Sequence, residues 1–197
     1  MPFSYYNVPM ADAIAEGHGA FAHPHKNVTV IGVGSGMRVA DFGAGSGAYT
    51  LSIAERVGPT GRVYAIDIQK DLLRRLSNAA LTQGFKNIDI IWADLEVSRA
   101  SKLADNSLDL VLVSNVIFQM HEKSRILIEA ARIVKRDGFV ALIDWSGSFG
   151  GMGPIKSEVV SKSRALELAE EAGLELSREF PAGAHHYGLL LKHTAAI

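Results

Sequence analysis

Hydrophobic residues along the chain alternate between two spacings, one typical of buried strands and the other of amphipathic helices. Short apolar runs rich in β-branched residues predict strands over 37–42, 62–68, 87–92, 108–114 and 139–145. Apolar residues three and four positions apart predict helices over 48–57, 70–83, 123–135 and about 156–172. Strands that alternate with helices in this way indicate an α/β fold, with a parallel sheet that carries helices on both faces.

Two further strand-like segments, 175–180 and 187–192, lie near the end of the sequence. The few residues between them, Pro181 to His186, are too short for the crossover that parallel strands require. These segments are therefore expected to pair as an antiparallel β-hairpin at one end of a doubly wound sheet.

The first 36 residues differ from the rest because they show no clear period. We expect residues 1–36 to form an N-terminal arm or lid and residues 37–197 to form the single main domain. A short segment packed on the domain edge is an equally open interpretation of residues 1–26. The glycine-rich GVGSG at 32–36 precedes a strand and not a helix, so it is interpreted as a connecting loop.

Composition narrows the possible classes of function. A length of 197 residues suits one domain, and 20 basic against 21 acidic residues leave a net charge of −1, which disfavours nonspecific nucleic-acid binding. The chain has no cysteine, which excludes disulfides, thiolate metal sites and cysteine nucleophiles. With no basic and apolar leader and no membrane-length apolar run, the expectation is a cytoplasmic protein without a membrane span.

A second glycine-rich segment, VADFGAGSG at 39–47, lies between a predicted strand and a predicted helix. Gly43, Gly45 and Gly47 allow a tight turn and a close approach of a ligand to the backbone. The helix that follows presents free N–H groups and a positive dipole end. Because many nucleotide-binding folds share this pattern, the glycines alone do not identify the ligand.

Three aspartates follow three successive predicted strands. Asp41 lies at the end of the first, Asp67 closes the second, and Asp94 follows the third. An acid at Asp41 suits a cationic amine, Asp67 suits ribose hydroxyls, and Asp94 suits the exocyclic amine of adenine. Since the carboxyl ends of parallel strands meet at one edge of the sheet, these carboxylates are predicted to converge there.

The chain resembles the class I S-adenosylmethionine-dependent methyltransferases, and within them the small ubiquinone/menaquinone-biosynthesis C-methyltransferases. The resemblance is carried, in order, by VADFGAGSG (39–47), VYAIDI (63–68), IWADLE (91–96), LDLVLVSNVIFQ (108–119) and VKRDGFVALIDW (134–145). It implies a Rossmann-like sheet of seven strands, S-adenosyl-L-methionine as cofactor and S-adenosyl-L-homocysteine as product.

The resemblance also implies roles for individual residues. Asp41 and the Gly43–Gly47 loop would hold the methionine part, Asp67 the ribose, and Asp94 with Leu95 the adenine edge. Ile68 would pack on adenine, and Ser114 with Asn115 would line the sulfonium side. The complete predicted cofactor set is Asp41, Phe42, Gly43, Ala44, Gly45, Ser46, Gly47, Asp67, Ile68, Asp94, Leu95, Ser114 and Asn115.

The acceptor is expected to be a small molecule. After strand four, SNVIF at 114–118 lacks the proline pair of nucleic-acid amino-methylating relatives, and the chain does not reproduce a catechol-type metal site, so no catalytic metal is expected. A general base must lie within hydrogen-bond reach of the acceptor, and the candidates are His121, then Asp144, then His186. Further residues on this side are Phe118, Gln119, Trp145, His185 and Tyr187.

Three alternatives remain open from the sequence. They are a noncatalytic domain that only binds the cofactor, an RNA or protein methyltransferase, and an NAD-dependent oxidoreductase. The oxidoreductase is disfavoured by Asp41 and by the lack of a Tyr-x-x-x-Lys pair. Either a monomer or a homodimer is compatible with the sequence.

Overall fold

The computed structural model describes residues 23–195, which form five helices, seven strands and one 3₁₀ turn. The strands are β1 (Arg38–Phe42), β2 (Arg62–Asp67), β3 (Ile88–Trp92), β4 (Leu108–Ser114), β5 (Val134–Trp145), β6 (Leu174–Pro181) and β7 (His186–His193). The helices are α1 (Pro24–Val30), α2 (Ala48–Val57), α3 (Lys70–Thr82), α4 (Lys123–Ile133) and α5 (Lys162–Glu171), with the 3₁₀ helix at Ile117–Gln119.

All seven strands belong to one sheet with the order β3-β2-β1-β4-β5-β7-β6. Strands β1 to β5 are parallel, whereas β7 runs antiparallel to both β5 and β6. The predicted α/β class, the doubly wound seven-stranded sheet and the antiparallel terminal hairpin are therefore confirmed.

The alternation of side chains along each strand divides the core into two layers. Val39, Leu112 and Ile143 pack with residues of α1 and α2 on one face of the sheet. Phe42 and Val113 pack with residues of α4 and α5 on the opposite face. A polar side chain at the carboxyl end of a strand therefore points to one face or the other, depending on whether its position in the strand is odd or even.

Helix α1 was not predicted, because its seven residues are too few to show a helical period. Pro24 stands in its first turn, where the missing N–H of proline costs nothing. Val28 and Asn27 are buried against the sheet, so this part of the predicted arm packs into the core. The GVGSG segment at 32–36 is a turn before β1, as predicted, and residues 1–22 of the arm lie outside the described part of the chain.

Three predicted boundaries are wrong by two residues or more. Helix α4 ends at Ile133 and β5 begins at Val134, although a helix was predicted to residue 135 and a strand only from 139. The reason is tertiary: Val134 is fully buried and pairs with Leu108, and the register shifts before Leu110. Helix α5 covers only Lys162–Glu171 of the predicted 156–172, because Ser161 caps its first turn by accepting a hydrogen bond from the Arg164 N–H.

We expect Gly138→Ala to lower the free energy of unfolding by about 1–3 kcal/mol, the usual cost of overpacking. A Cβ at Gly138 would lie 2.8 Å from the Asp109 carbonyl oxygen and 2.8 Å from Val134 Cγ2, at the irregular part of the pairing between β5 and β4. Gly34→Ala is the control, because its Cβ would meet only Met37 Sδ at 3.8 Å. Urea denaturation measures the free energy of unfolding of both variants. Equal values would contradict the close packing of Gly138 against β4.

Candidate active site

The Gly43–Gly47 loop between β1 and α2 is bound tightly to the end of β2. The N–H groups of Gly43 and Ala44 both donate to the Ile66 carbonyl, at 2.9 and 3.0 Å, and the Gly45 N–H donates to Asp67 Oδ2 at 2.8 Å. Gly47 has a φ of +99°, and a Cβ there would lie 2.3 Å from Leu76 Cδ1. Glycine is required at this position both by conformation and by the close approach of α3.

This loop leaves the start of α2 open to a ligand. Gly47 is the N-cap residue and provides no side-chain cap for the first N–H groups of the helix. A Cβ at Gly45 would meet nothing closer than a backbone oxygen at 4.0 Å, so the space above the loop is free. Of the predicted loop residues, Phe42 is fully buried in the α4-side core, so its ring does not reach this space, whereas Ser46 is partly exposed.

Asp41 is buried at the end of β1, on the face covered by α2. Its Oδ2 accepts a hydrogen bond from the Thr50 hydroxyl at 2.6 Å. Burial raises the pKa of Asp41 to about 6, the Thr50 hydrogen bond lowers it, and the nearby Asp67 carboxylate raises it further. Two carboxylates in one crevice create a negative potential that a cationic ligand would relieve.

Asp67 ends β2 beside that pair and is only 7% exposed. Its Oδ1 accepts the Gln69 N–H at 2.7 Å, and its Oδ2 accepts the Gly45 N–H. Backbone donors therefore hold the carboxylate in one orientation, while each oxygen retains a further lone pair for a ligand.

The predicted adenine residues surround an open platform next to Asp67. Ile68 is 55% exposed, and Asp94 is exposed with its Oδ1 accepting the Glu96 N–H, whereas the Leu95 side chain is buried. Trp92 was missed by sequence reasoning although it ends β3 directly opposite Asp67. Its Nε1 donates to the Ile68 carbonyl at 2.9 Å, so Trp92 fixes the turn that presents Ile68.

At the end of β4, Ser114 and Asn115 complete the predicted set. Ser114 is 7% exposed, and among residues 23–195 neither its Oγ nor Asn115 Oδ1 has a hydrogen-bond partner. Asn115 has a φ of +55°, a left-handed conformation that turns the chain sharply away from the strand. Buried polar atoms without partners are rare and costly, which is expected where a ligand supplies the missing partner.

Beneath this edge, a hydrogen-bond relay was also missed from the sequence. Asn27 Nδ2 donates to the Tyr49 hydroxyl at 2.8 Å and to the Ala182 carbonyl at 3.0 Å. These bonds connect α1, α2 and the loop between β6 and β7. Since α1 itself was not predicted, no sequence signal could have paired Asn27 with Tyr49.

His121, the first predicted general base, lies on the surface at the start of α4 with its side chain 93% exposed. Its Nδ1 lies 3.2 Å from Glu96 Oε1, and the backbone N–H groups of His121 and Glu122 donate to the Glu96 carboxylate. The structure therefore places His121 beside the segment that follows β3, apart from Asp144 and His186.

Asp144 is 1% exposed on the face covered by α4 and α5. Burial raises its pKa to about 7, against the opposing effects of the N–H groups of Trp145, Phe118 and Ile117 and of the Lys123 ammonium. Lys123 Nζ in turn donates to the Phe118 and Met120 carbonyls, at 3.0 and 2.8 Å. Lys123 thus holds the carbonyl groups of the 3₁₀ helix that follows β4, whereas Asp144 Oδ1 accepts the Trp145 N–H at 2.7 Å and its Oδ2 has no hydrogen-bond partner among residues 23–195.

His186 points to the opposite face of the sheet from Asp144. Trp145 and His186 are paired across β5 and β7, and their ring centroids are 4.3 Å apart. Phe149 and His185 stack beside them with centroids 4.0 Å apart, and the Trp145 and Phe149 centroids are 6.4 Å apart. These four residues, here called the aromatic cluster, lie at the same edge of the sheet as Ser114.

Two of the other expectations concern a metal ion and a membrane span. No group of three or more acidic, histidine or cysteine side chains is placed to hold a metal ion among residues 23–195. None of the helices in this range is both long enough and apolar enough to cross a membrane. The assigned functions of the individual site residues remain predictions.

The pH dependence of stability should change in opposite directions when Asp144 and His186 are replaced. Between pH 4 and 7 native Asp144 keeps a proton that the unfolded chain, with a pKa of 3.8, has released. Its contribution to the free energy of unfolding therefore falls as pH rises, by about 1.4 kcal/mol per pH unit. Burial lowers the pKa of His186 from 6.5 to about 4, so its contribution rises with pH between these values.

Urea denaturation across this pH range tests both signs. Asp144→Asn should make the stability rise more steeply with pH, and His186→Gln should make it rise less steeply. Asp41, whose pKa of about 6 acts in the same direction as Asp144, is retained in both variants and so leaves their difference unaffected. A shift of both profiles in the same direction would disprove the assigned protonation states.

Comparison with known proteins places this geometry in a family. The methyltransferase domain family matches residues 33–183. The chain is 32% identical over 117 residues to the ubiquinone/menaquinone biosynthesis C-methyltransferase of Cupriavidus taiwanensis, and 30% identical over 116 residues to that of Hahella chejuensis. Each alignment covers 58% of this chain but only 46% and 45% of the relatives, so the chain spans less than half of their length.

Solved structures agree with this match. An S-adenosylmethionine-dependent methyltransferase from Aquifex aeolicus superposes with a TM-score of 0.78 at 27% identity, over 87% of this chain and 89% of that one. An arsenic(III) S-adenosylmethionine methyltransferase from Chlamydomonas reinhardtii, at 21% identity and a TM-score of 0.67 over 97% of this chain and 73% of that one, shares the fold. With the glycine loop, the acidic strand ends and the open helix start, these matches show that the chain belongs to the methyltransferase domain family.

Proposed function

We propose that the chain transfers a methyl group from S-adenosylmethionine to a small molecule held above the carboxyl ends of β4 and β5 and the amino end of β7. The observation that carries this proposal is the position of Ser114 and Asn115. Their polar atoms without partners lie between the acidic crevice at Asp41 and Asp67 on one side and the aromatic cluster on the other. A cofactor and an acceptor in these two places would meet at the end of β4.

The methionine part of the cofactor fits the loop and the start of α2. Its carboxylate is suited to the uncapped N–H groups that follow Gly47. Its ammonium is suited to the negative crevice beside Asp41 and Asp67. There the Asp67 carboxylate raises the pKa of Asp41, and a nearby positive charge would stabilise both carboxylates. A nicotinamide dinucleotide fits less well, because its pyrophosphate would approach the same carboxylates.

The nucleoside part fits the platform at the ends of β2 and β3. The oriented Asp67 carboxylate can accept hydrogen bonds from both ribose hydroxyls. Exposed Ile68 offers an apolar surface for adenine, and Asp94 with the Leu95 backbone is suited to its polar edge. The orphaned atoms of Ser114 and Asn115 would face the sulfonium side.

Methyl transfer requires little of the protein beyond positioning the acceptor next to the methyl group. Bound S-adenosylmethionine supplies a methyl group on a positively charged sulfur, which is already electrophilic. The chain aligns the acceptor with this group and excludes water, and such positioning can contribute about 7–11 kcal/mol in favourable cases. Of the three predicted bases, only His186 is on the side of the sheet that carries Ser114 and the aromatic cluster.

The aromatic cluster favours a planar acceptor. Phe149 is partly exposed at the edge where the acceptor would lie, while Trp145 is only 7% exposed and packs against it, and stacked or edge-to-face contacts of another ring with Phe149 would be favourable. The curated relatives are named as C-methyltransferases of ubiquinone and menaquinone biosynthesis, which agrees with an aromatic acceptor. We therefore propose a small aromatic compound as the acceptor class.

Calorimetric titration with S-adenosylmethionine and S-adenosylhomocysteine tests the cofactor site. We expect Asp67→Asn to weaken both by about 10- to 100-fold, the usual effect of losing hydrogen bonds to a charged group. Asp71→Asn, which changes an exposed acid on α3, is the matched control and should bind as the wild type does. NADH should not bind, and tighter binding of NADH than of either compound would overturn the assignment.

A pair of buried serines separates cofactor binding from stability. Ser114→Ala removes a hydroxyl that makes no well-formed hydrogen bond among residues 23–195 and lies near the Tyr49 hydroxyl, so the stability of the free protein should change by less than about 1 kcal/mol, while the cofactor binds about tenfold more weakly. Ser101→Ala removes a hydroxyl that donates to Glu129, so it should lose about 1–3 kcal/mol of stability and keep its affinity. If Ser114→Ala binds the cofactor normally, Ser114 does not belong to the site.

A further inference from the structure

Glu96 connects the segment that follows β3 to the start of α4. Its Oε1 accepts the His121 N–H at 3.3 Å, and its Oε2 accepts the Glu122 N–H at 3.0 Å. Helix α4 has no side-chain cap at its N-cap residue Glu122, so an acid from another segment, Glu96, lies at the positive end of its dipole. These contacts join two segments that are 25 residues apart in the sequence.

The same residue holds the Asp94 carboxylate through the backbone. The Glu96 N–H donates to Asp94 Oδ1 at 2.9 Å, and the Val97 N–H donates to the Asp94 carbonyl at 3.1 Å. These two bonds close a turn that carries the exposed Asp94 side chain and restrict its rotamer. A carboxylate that accepts one N–H keeps further lone pairs for a ligand.

Leu95, between these two acids, attaches the turn to the core. Its side chain is 5% exposed and belongs to the same apolar layer as Ile117 and Ile126, which lie in the 3₁₀ helix and in α4. The turn is therefore fixed in two ways, by the apolar packing of Leu95 and by the polar contacts of Glu96.

The backbone N–H groups, and not the His121 ring, account for most of the attachment of Glu96. The Glu122 N–H is the largest cause that holds the pKa of Glu96 below its usual range, and the His121 N–H acts in the same direction, while partial burial opposes them. The His121 side chain is 93% exposed, and an ion pair so open to water contributes little. Glu96 is thus a carboxylate at neutral pH, held by donors of the backbone.

We propose that Glu96 is a positioning residue for recognition of the base: it takes its own position from the start of α4 and aims the Asp94 carboxylate at the exocyclic amine of adenine. This inference rests on the proposed function, in which Asp94 lies at the polar edge of the base. In this arrangement His121 serves the attachment of Glu96 through its backbone N–H.

A fixed carboxylate selects for an amine more strongly than a mobile one. A mobile side chain can turn toward water when the ligand offers no donor, whereas a held carboxylate is left unpaired beside the base. The preference of the site for adenine over a purine without the amine should therefore depend on Glu96, although Glu96 itself does not touch the base.

The test titrates the full chain with S-adenosylhomocysteine and with its analogue in which purine replaces adenine, so that only the exocyclic amine is missing. Wild type should bind S-adenosylhomocysteine about tenfold more tightly than the purine analogue, the usual gain from a hydrogen bond to a charged group. Glu96→Gln accepts one N–H but turns its own amide NH₂ toward the other, and should lower this ratio about threefold. Glu55→Gln, which changes the exposed acid of the His25–Glu55 pair, is the matched control and should keep the wild-type ratio.

Two further variants show whether Glu96 acts through Asp94. Asp94→Ala should bring the ratio to about one, and adding Glu96→Gln should change it no further, because the two residues act as one unit. A general loss of stability would weaken both compounds alike, so the ratio reports on recognition of the base and not on folding.

Three results would overturn the inference. They are an unchanged ratio in Glu96→Gln, a further fall of the ratio when Glu96→Gln is added to Asp94→Ala, and equal binding of the two compounds by wild type. Failure of wild type to bind S-adenosylhomocysteine would instead remove the proposed function, and the inference with it.

Discussion

The attachment of the glycine loop to β2 is the constraint on which the rest of the site depends. Hydrogen bonds from Gly43 and Ala44 to Ile66, and from Gly45 to Asp67, hold the loop against the neighbouring strand. The same bonds orient the Asp67 carboxylate and bring the start of α2 to the sheet edge. Because Leu76 of α3 fills the volume that a Cβ at Gly47 would need, a side chain at this position would push the loop and α3 apart.

Several buried polar groups at the edge of the sheet lack a hydrogen-bond or charge partner among the described residues. Asp41 is buried near a second carboxylate, and the polar atoms of Ser114 and Asn115 have no partners among residues 23–195. Each of these groups costs folding free energy that the packed layers around α2 and α4 must offset. A cationic ligand rich in hydrogen-bonding groups would recover that cost, which is how a small domain can bind its cofactor strongly.

The alternation of side chains along β5 and β7 separates two kinds of task. Asp144 points to the face covered by α4 and α5, near the 3₁₀ helix after β4, whose Phe118 carbonyl accepts a hydrogen bond from Lys123. Its neighbour Trp145 points to the other face and stacks on His186. Adjacent residues of this strand therefore lie on opposite faces of the sheet, Asp144 beside the loop after β4 and Trp145 in the aromatic cluster.

The sequence by itself determined the α/β class, the order of nearly all elements, the antiparallel hairpin and the convergence of Asp41, Asp67 and Asp94 toward one edge. These follow from local periodicity and from the rule that parallel strands end at the same edge. Only the tertiary structure decided where β5 begins, because burial of Val134 against β4 overrides the helical pattern that precedes it. It alone also decided which of the predicted bases share a surface. Face, burial and the pairing of His186 with Trp145 depend on contacts between residues distant in the sequence, and no local pattern encodes them.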